Sequence, residues 1–207
     1  MDDIPSPDSP QITGDLLIAA YRRGFFPMAD GESQEVYWYQ PDPRGIIPLD
    51  QFRVPESLGR RVRSGRFKVT VDACFEQTMR ECSKARSDEN GSWMTDTLLA
   101  AYCDLHDRGA AHSLEAWRAG HLVGGLYGVH LGGAFFGESM FSRPAIGGTD
   151  ASKVCLVHLV ERLRDRGFSL LDTQYINEHL KQFGCLEVSA GRYARMLETA
   201  LAEPVPF

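Results

Sequence analysis

Two polar clusters in apolar surroundings are the residues of this 207-residue chain best equipped for chemistry. The first is Glu138, inside Phe136-Gly137-Glu138-Ser139-Met140-Phe141. The second is Asp172-Thr173-Gln174-Tyr175-Ile176-Asn177. A polar group in an apolar strand costs about 1–3 kcal/mol unless it is paired, so a chain that carries several has a use for them. In a strand running from Phe168 to Gln174, period two places Asp172 and Gln174 on one face. Their side chains are expected to converge on one small volume. Asp172 can fix the rotamer of Gln174 or accept a proton-bearing nitrogen directly. The amide of Gln174 is neutral, which leaves it to orient an amine or stabilise a developing oxyanion. The competing reading has these groups cap the helix that follows. Glu138 either binds a cation, faces solvent or pairs with Arg143, and Gly137 beside it leaves room for a substrate backbone.

Other candidates carry less information. Trp93, in Gly91-Ser92-Trp93-Met94-Thr95, is either a lid over the core or a stacking plane for a base; Tyr37, Trp38 and Tyr39 are open in the same way. Arg44, Arg53, Arg60, Arg61, Arg63, Arg66 and Lys68 are opposed in their stretch by Asp50 and Glu56 alone. On a protein of net charge −6, such a run either holds a phosphate backbone or is a solvated face. Gly147-Gly148 ahead of a helix invites a phosphate cradle, yet neither Walker A nor Gly-x-Gly-x-x-Gly spacing is present. Arg143-x-x-x-Gly147-Gly148 also misses the acetyl-CoA loop pattern by one residue. Five cysteines without Cys-x-x-Cys and six scattered histidines argue against a zinc site and a disulfide framework. No metal is expected.

The elements that must position these groups read as α+β, an α/β layer around one mixed sheet flanked by helices. Helices are expected over 15–23, 73–85, 96–108, 151–166, 177–183 and 191–202, several of them closed by glycine (Gly24, Gly109, Gly167, Gly184). Strands are expected over 36–39, 67–71, 112–117, 122–131, 134–141 and 168–173, with hairpin turns at Gly120 and Gly132-Gly133. Residues 1–13, rich in Pro, Ser and Asp, are expected to be poorly ordered. Residues 1–65 read as a small N-terminal domain and 66–207 as the main one. The apolar runs are too short to span a bilayer, and the start of the chain lacks a basic n-region and an apolar h-region. A cytoplasmic protein is expected, off the membrane and by default a monomer.

Taken in order, several segments resemble the bacterial leucyl/phenylalanyl-tRNA–protein transferase family. They are AYRRGFFP (Ala20 to Pro27), PDPR (Pro41 to Arg44), GSWMT (Gly91 to Thr95), VGGLYGV (Val123 to Val129), GESMFS (Gly137 to Ser142) and ASK (Ala151 to Lys153). Asp172-x-Gln174-x-x-Asn177, followed by His179 and Gly184, completes the set. Each motif is short, but their order and spacing are specific. The resemblance implies a small N-terminal domain joined to a domain similar to the acyl-CoA N-acyltransferase fold, working without CoA, ATP, metal or other cofactor. It implies transfer of Leu or Phe, and Met less well, from aminoacyl-tRNA to the N-terminal Arg or Lys of a protein. That addition marks the acceptor for N-degron proteolysis.

Carried over by motif, Asp172 and Gln174 are the catalytic pair that positions and activates the acceptor amine, supported by Asn177. Glu138 attracts the cationic acceptor or holds substrate polar groups. Phe135, Met140, Leu159 and Leu163 wall an apolar donor pocket, and Trp93 stacks the terminal adenosine. Arg44, Arg60, Arg61, Arg63, Arg66 and Lys68 hold the acceptor stem. Met28 stands where some members carry Trp, which removes one candidate stacking plane; Leu159 and Leu163 stand where aromatics occur, so the preference between Phe and Leu is expected to shift. The alternatives are a CoA-dependent N-acetyltransferase, whose pyrophosphate loop is spoiled here, and a non-catalytic tRNA-binding module, which has no use for Asp172.

Overall fold

Thr13 starts the first helix by accepting a hydrogen bond from the Leu16 amide, one of the donors a helix N-terminus leaves open. In this computed structural model, which describes residues 12–31, 33–86 and 93–207, α1 (Gly14–Tyr21) is followed by Gly24 in the left-handed region. A hairpin of β1 (Phe26–Ala29) and β2 (Val36–Tyr39) comes next. The chain continues through β3 (Arg44–Ile47), α2 (Glu56–Arg63), β4 (Lys68–Val71), α3 (Phe75–Arg86), α4 (Asp96–Asp107) and β5 (Ala111–Arg118). Then come β6 (His121–Leu131), β7 (Ala134–Ser142), α5 (Ala151–Arg166), β8 (Leu170–Gln174), α6 (Glu178–Lys181), β9 (Leu186–Val188) and α7 (Ala190–Leu201). Most of the expected poorly ordered segment at 1–13, and the polar loop read at 87–91, lie outside the described residues.

Seven strands form one sheet in the order β4-β5-β6-β7-β8-β3-β9. Every pair is antiparallel except β7 with β8. A parallel pair needs a crossover, and α5 supplies it. Together with α2, α5 covers one face; α1, α3, α4 and α7 cover the other. Val154, Cys155, Val157, Leu159, Val160 and Leu163 of α5 are all buried, at about 1.5–3 kcal/mol for each fully buried Val or Leu. The mixed sheet flanked by helices is the architecture expected.

The domain boundary needs correction. β3 lies inside the main sheet, between β8 and β9, and Leu58 of α2 is buried in the same core as α5. The N-terminal unit therefore ends before Arg44 rather than at residue 65, and Pro43 and Pro48 flank a strand of the main sheet. Among the described residues, no helix is long and apolar enough to cross a membrane.

Candidate functional site

The parallel pair is short. β7 and β8 meet only through Ala134–Leu170, Phe135–Leu171 and Phe136–Asp172. Beyond those residues the two strands no longer pair with each other, and a cavity of about 440 Å³ opens between them, within the ~300–1,000 Å³ of small-ligand sites. Its walls come from both cores: Phe26, Tyr127 and Phe141 from the α1/α3/α4 side, Leu156, Leu159 and Leu171 from the α5 side. The cavity thus passes through the plane of the sheet. β7 also carries one extra residue here, because Tyr127 pairs with Ser139 and Gly128 with Gly137, leaving Glu138 as a bulge. That bulge explains how Phe136 and Phe141, an odd number of residues apart, enter the same core. It also turns the side chains of Glu138 and Ser139 to one side of the strand.

Glu138 is the centre of a hydrogen-bonded chain. Its Oε1 accepts from Gln174 Nε2 at 3.2 Å and its Oε2 from the Tyr102 hydroxyl at 3.4 Å. The Tyr102 and Tyr21 hydroxyls lie 2.6 Å apart. Burial pushes the Glu138 carboxyl up to about 7, against a hydrogen bond from Tyr21 and with help from the Asp172 charge. Burial, reinforced by Glu138, raises both phenols well above their usual range, so they remain protonated donors. A carboxyl poised near neutrality suits proton transfer.

Asp172 does not join that chain, and the expectation of a shared volume is corrected. The carboxylate is fully buried and absent from the cavity wall. It accepts from Arg44 Nη2 at 2.7 Å, Arg44 Nε at 3.0 Å, the Tyr193 hydroxyl at 2.6 Å and the Gln174 amide at 2.8 Å. Arg44 has no exposed surface and donates also to the Gly24 carbonyl. The period-two argument fails because Gln174 is not extended: its φ is +59, a left-handed conformation that costs a non-glycine residue energy. Asp172 holds that conformation through the Gln174 N–H.

Gly45 supports the same turn from β3, where an added Cβ would lie 2.7 Å from the carbonyl carbon of Tyr175 and 2.9 Å from the Ile176 nitrogen. Gly45→Ala is therefore expected to displace this turn and lower the melting temperature by roughly 2–8 °C. An unchanged melting temperature would show that the turn has room to give.

The family described as "Leucyl/phenylalanyl-tRNA protein transferase" matches residues 46–198, and its N-terminal domain matches residues 11–42. The chain belongs to that family. The leucyl/phenylalanyl-tRNA–protein transferase of Paramagnetospirillum magneticum is 51% identical, over 95% of this chain and 92% of its own length. That of Rhizorhabdus wittichii is 53% identical, over 92% and 75%. Among solved structures, a GCN5-related N-acetyltransferase from Sphaerobacter thermophilus is similar with a TM-score of 0.44 and 15% identity, covering 86% of this chain and 54% of that one.

Of the residues that the resemblance to the transferase family brought forward, Glu138, Gln174, Asn177, Met140, Trp93 and Leu159 all line the cavity. Asn177 commits its side-chain oxygen to the Leu180 amide as the cap of α6. Phe135 and Leu163 are corrected: both are fully buried away from the cavity, and Phe135 stacks on Phe207 at 5.4 Å. Arg44 is corrected too, since a fully buried guanidinium bound to Asp172 cannot meet an RNA phosphate.

Arg60, Arg63, Arg66 and Lys68 are exposed. Arg61 pairs with Asp150 at 3.1 Å, which also pairs with Lys153, next to the cavity-lining Ser152. The basic helix α2 thereby abuts the cavity rim. Gly147 and Gly148 form a packed turn rather than a phosphate cradle: Arg66 and Arg118 donate to the Gly147 carbonyl, and a Cβ on Gly148 would meet the Val123 carbonyl at 2.2 Å. Tyr21, Tyr102 and Tyr193 were missed. Each sits on the buried side of a helix, where sequence spacing cannot tell a working phenol from a core aromatic.

Proposed function

We propose that an aminoacyl-tRNA ester and the N-terminus of an acceptor protein meet in this cavity, and that the transferase moves Leu or Phe from the first to the second. The observation that carries the reading is a cavity through the sheet, apolar toward α5 and acidic toward α4. Met140, Leu156, Leu159 and Leu171 form a slot for the donor side chain. Such a slot separates one methylene by about 1–3 kcal/mol, so Leu, Phe and, less well, Met are accepted. Glu138 is the one carboxylate in the described lining. Its field draws an N-terminal Arg or Lys, which brings two positive charges.

The acceptor's α-amine has an ordinary pKa near ~8 and must lose a proton before it attacks. Glu138 takes that proton; the nitrogen adds to the ester carbonyl and a C–N bond forms. The C–O bond to the ribose then breaks, and the proton passes to the leaving ribose hydroxyl. Gln174, tethered to Glu138 through Nε2, offers its carboxamide oxygen to an N–H of the amine. Asp172 holds Gln174 and Arg44 in place from behind. The ester is already activated, so neither ATP nor a metal has a task.

Arg60, Arg61, Arg63, Arg66 and Lys68 hold the acceptor stem beside the rim, a salt-sensitive contact, while Trp93 packs against the 3′ end. The enzyme works as a monomer in the cytoplasm, on proteins bound for N-degron proteolysis. Purified protein given Phe-tRNA and a peptide beginning with Arg is expected to form Phe-Arg-peptide without ATP, while peptides beginning with Ala or Asp react poorly. Absence of product with Leu, Phe and Met donors alike would sink the reading.

A further inference from the structure

We infer that Ser139 is a positioning residue for the acceptor's amine, an inference that rests on the transfer reaction proposed above. The Ser139 hydroxyl is buried and, among the described residues, has no hydrogen-bond partner. A buried hydroxyl left unpaired destabilises a fold, and native proteins keep few of them without a reason. Here the reason lies in the neighbours. Ser139 belongs to the cavity wall, and the β7 bulge turns it to the same side as Glu138. A regular strand would point two consecutive side chains to opposite faces; the extra residue places both oxygens on the acidic side of the gap.

The chemistry of the acceptor supplies the missing partner. An α-ammonium carries three N–H groups, and the wall of this cavity holds three acceptors for them: the Glu138 carboxylate, the Gln174 carboxamide oxygen and the Ser139 hydroxyl oxygen. Once Glu138 has taken one proton, two N–H groups and a lone pair remain. Gln174 and Ser139 hold the two N–H groups, and the lone pair is left aimed at the ester carbonyl. A serine makes this contact by turning about its single χ angle. Ser139 is thus kept unpaired in the free protein so that the amine can be held during attack, and stability is traded for function.

Stability and activity should move in opposite directions in Ser139→Ala. The variant is expected to melt about 2–4 °C above the wild type, because the orphaned hydroxyl is gone. Its single-turnover rate with an Arg-peptide should fall roughly 10–100-fold, with the KM for aminoacyl-tRNA unchanged and the pH dependence near 7 retained. Ser139→Thr, which keeps the hydroxyl, should recover most of the rate. An Ala variant that melts lower than the wild type, transfers at the wild-type rate, or shifts the donor KM instead overturns the inference; so does a Thr variant as slow as Ala. If the wild type itself transfers nothing to Arg-peptides, the reading of the site falls. If it transfers and the Ala variant matches it, the role of Ser139 alone falls.

Discussion

Asp172→Ala should lower the melting temperature by roughly 6–20 °C. Removing one member of a buried ion pair costs about 3–5 kcal/mol, and each kcal/mol corresponds to about 2–4 °C in a chain of this size. The substitution strands Arg44, whose side chain has no exposed surface, and takes the acceptor away from Tyr193 and from the Gln174 amide. Arg44→Met alone should be similarly damaging, because it leaves the carboxylate buried without its cation. The double variant Arg44→Met/Asp172→Leu removes both charges, and buried pairs are often replaced by apolar groups at little cost. It should melt closer to the wild type than either single variant, a coupling that a double-mutant cycle reads directly. Transfer should not return in the double variant, because Gln174 still lacks the anchor for its left-handed turn. An Asp172→Ala protein that melts like the wild type while losing activity would place the carboxylate in the reaction instead.

What made Asp172 hard to place from sequence was distance along the chain. Its partner Arg44 lies 128 residues earlier, on a four-residue strand between two prolines, and nothing local announces a buried arginine there. Distance also hid the three-residue β9, whose partner is β3, whereas β1 was hidden locally, by Pro27 within its four residues. α2 was missed because only Leu58 of its eight residues is buried, too little to give a helical apolar stripe. Where the pattern was long, the reading was close: α5 runs from Ala151 to Arg166 as expected, closed by Gly167 in the left-handed region, and the β5-β6-β7 hairpins follow their glycine turns. The acid in β7 was legible as a polar residue among apolar ones. Its bulge was not, because an extra residue shows only when the partner strand is laid beside it. Gln174 was legible as a candidate and misplaced in detail, since alternation assumes an extended backbone that its φ of +59 does not have.

Glu138→Gln should abolish the part of the pH–rate profile that titrates near 7. In the wild type, the Glu138 carboxyl is pushed up to about 7 by burial, and only its ionised form can take the amine's proton. The single-turnover rate with an Arg-peptide should therefore rise as pH passes through about 7, with a further rise as the amine itself deprotonates near ~8. Glutamine keeps the shape but has no basicity, so the rate should drop about 10²–10⁴-fold and retain only the dependence belonging to the amine.

Stability carries the opposite sign. A carboxyl whose folded pKa lies above its unfolded value of ~4.3 binds its proton more tightly in the native state. Raising pH across that interval therefore removes stability from the wild type, and the full penalty is present above about 7. Glutamine pays no such penalty, so the variant should gain stability relative to the wild type as pH rises from about 5 to about 8. A variant that is slower in transfer yet relatively more stable at alkaline pH is what a desolvated proton acceptor requires. If Glu138→Gln instead keeps the limb near 7, the proton leaves the amine by another route, and the buried carboxylate serves only to attract the acceptor's charge.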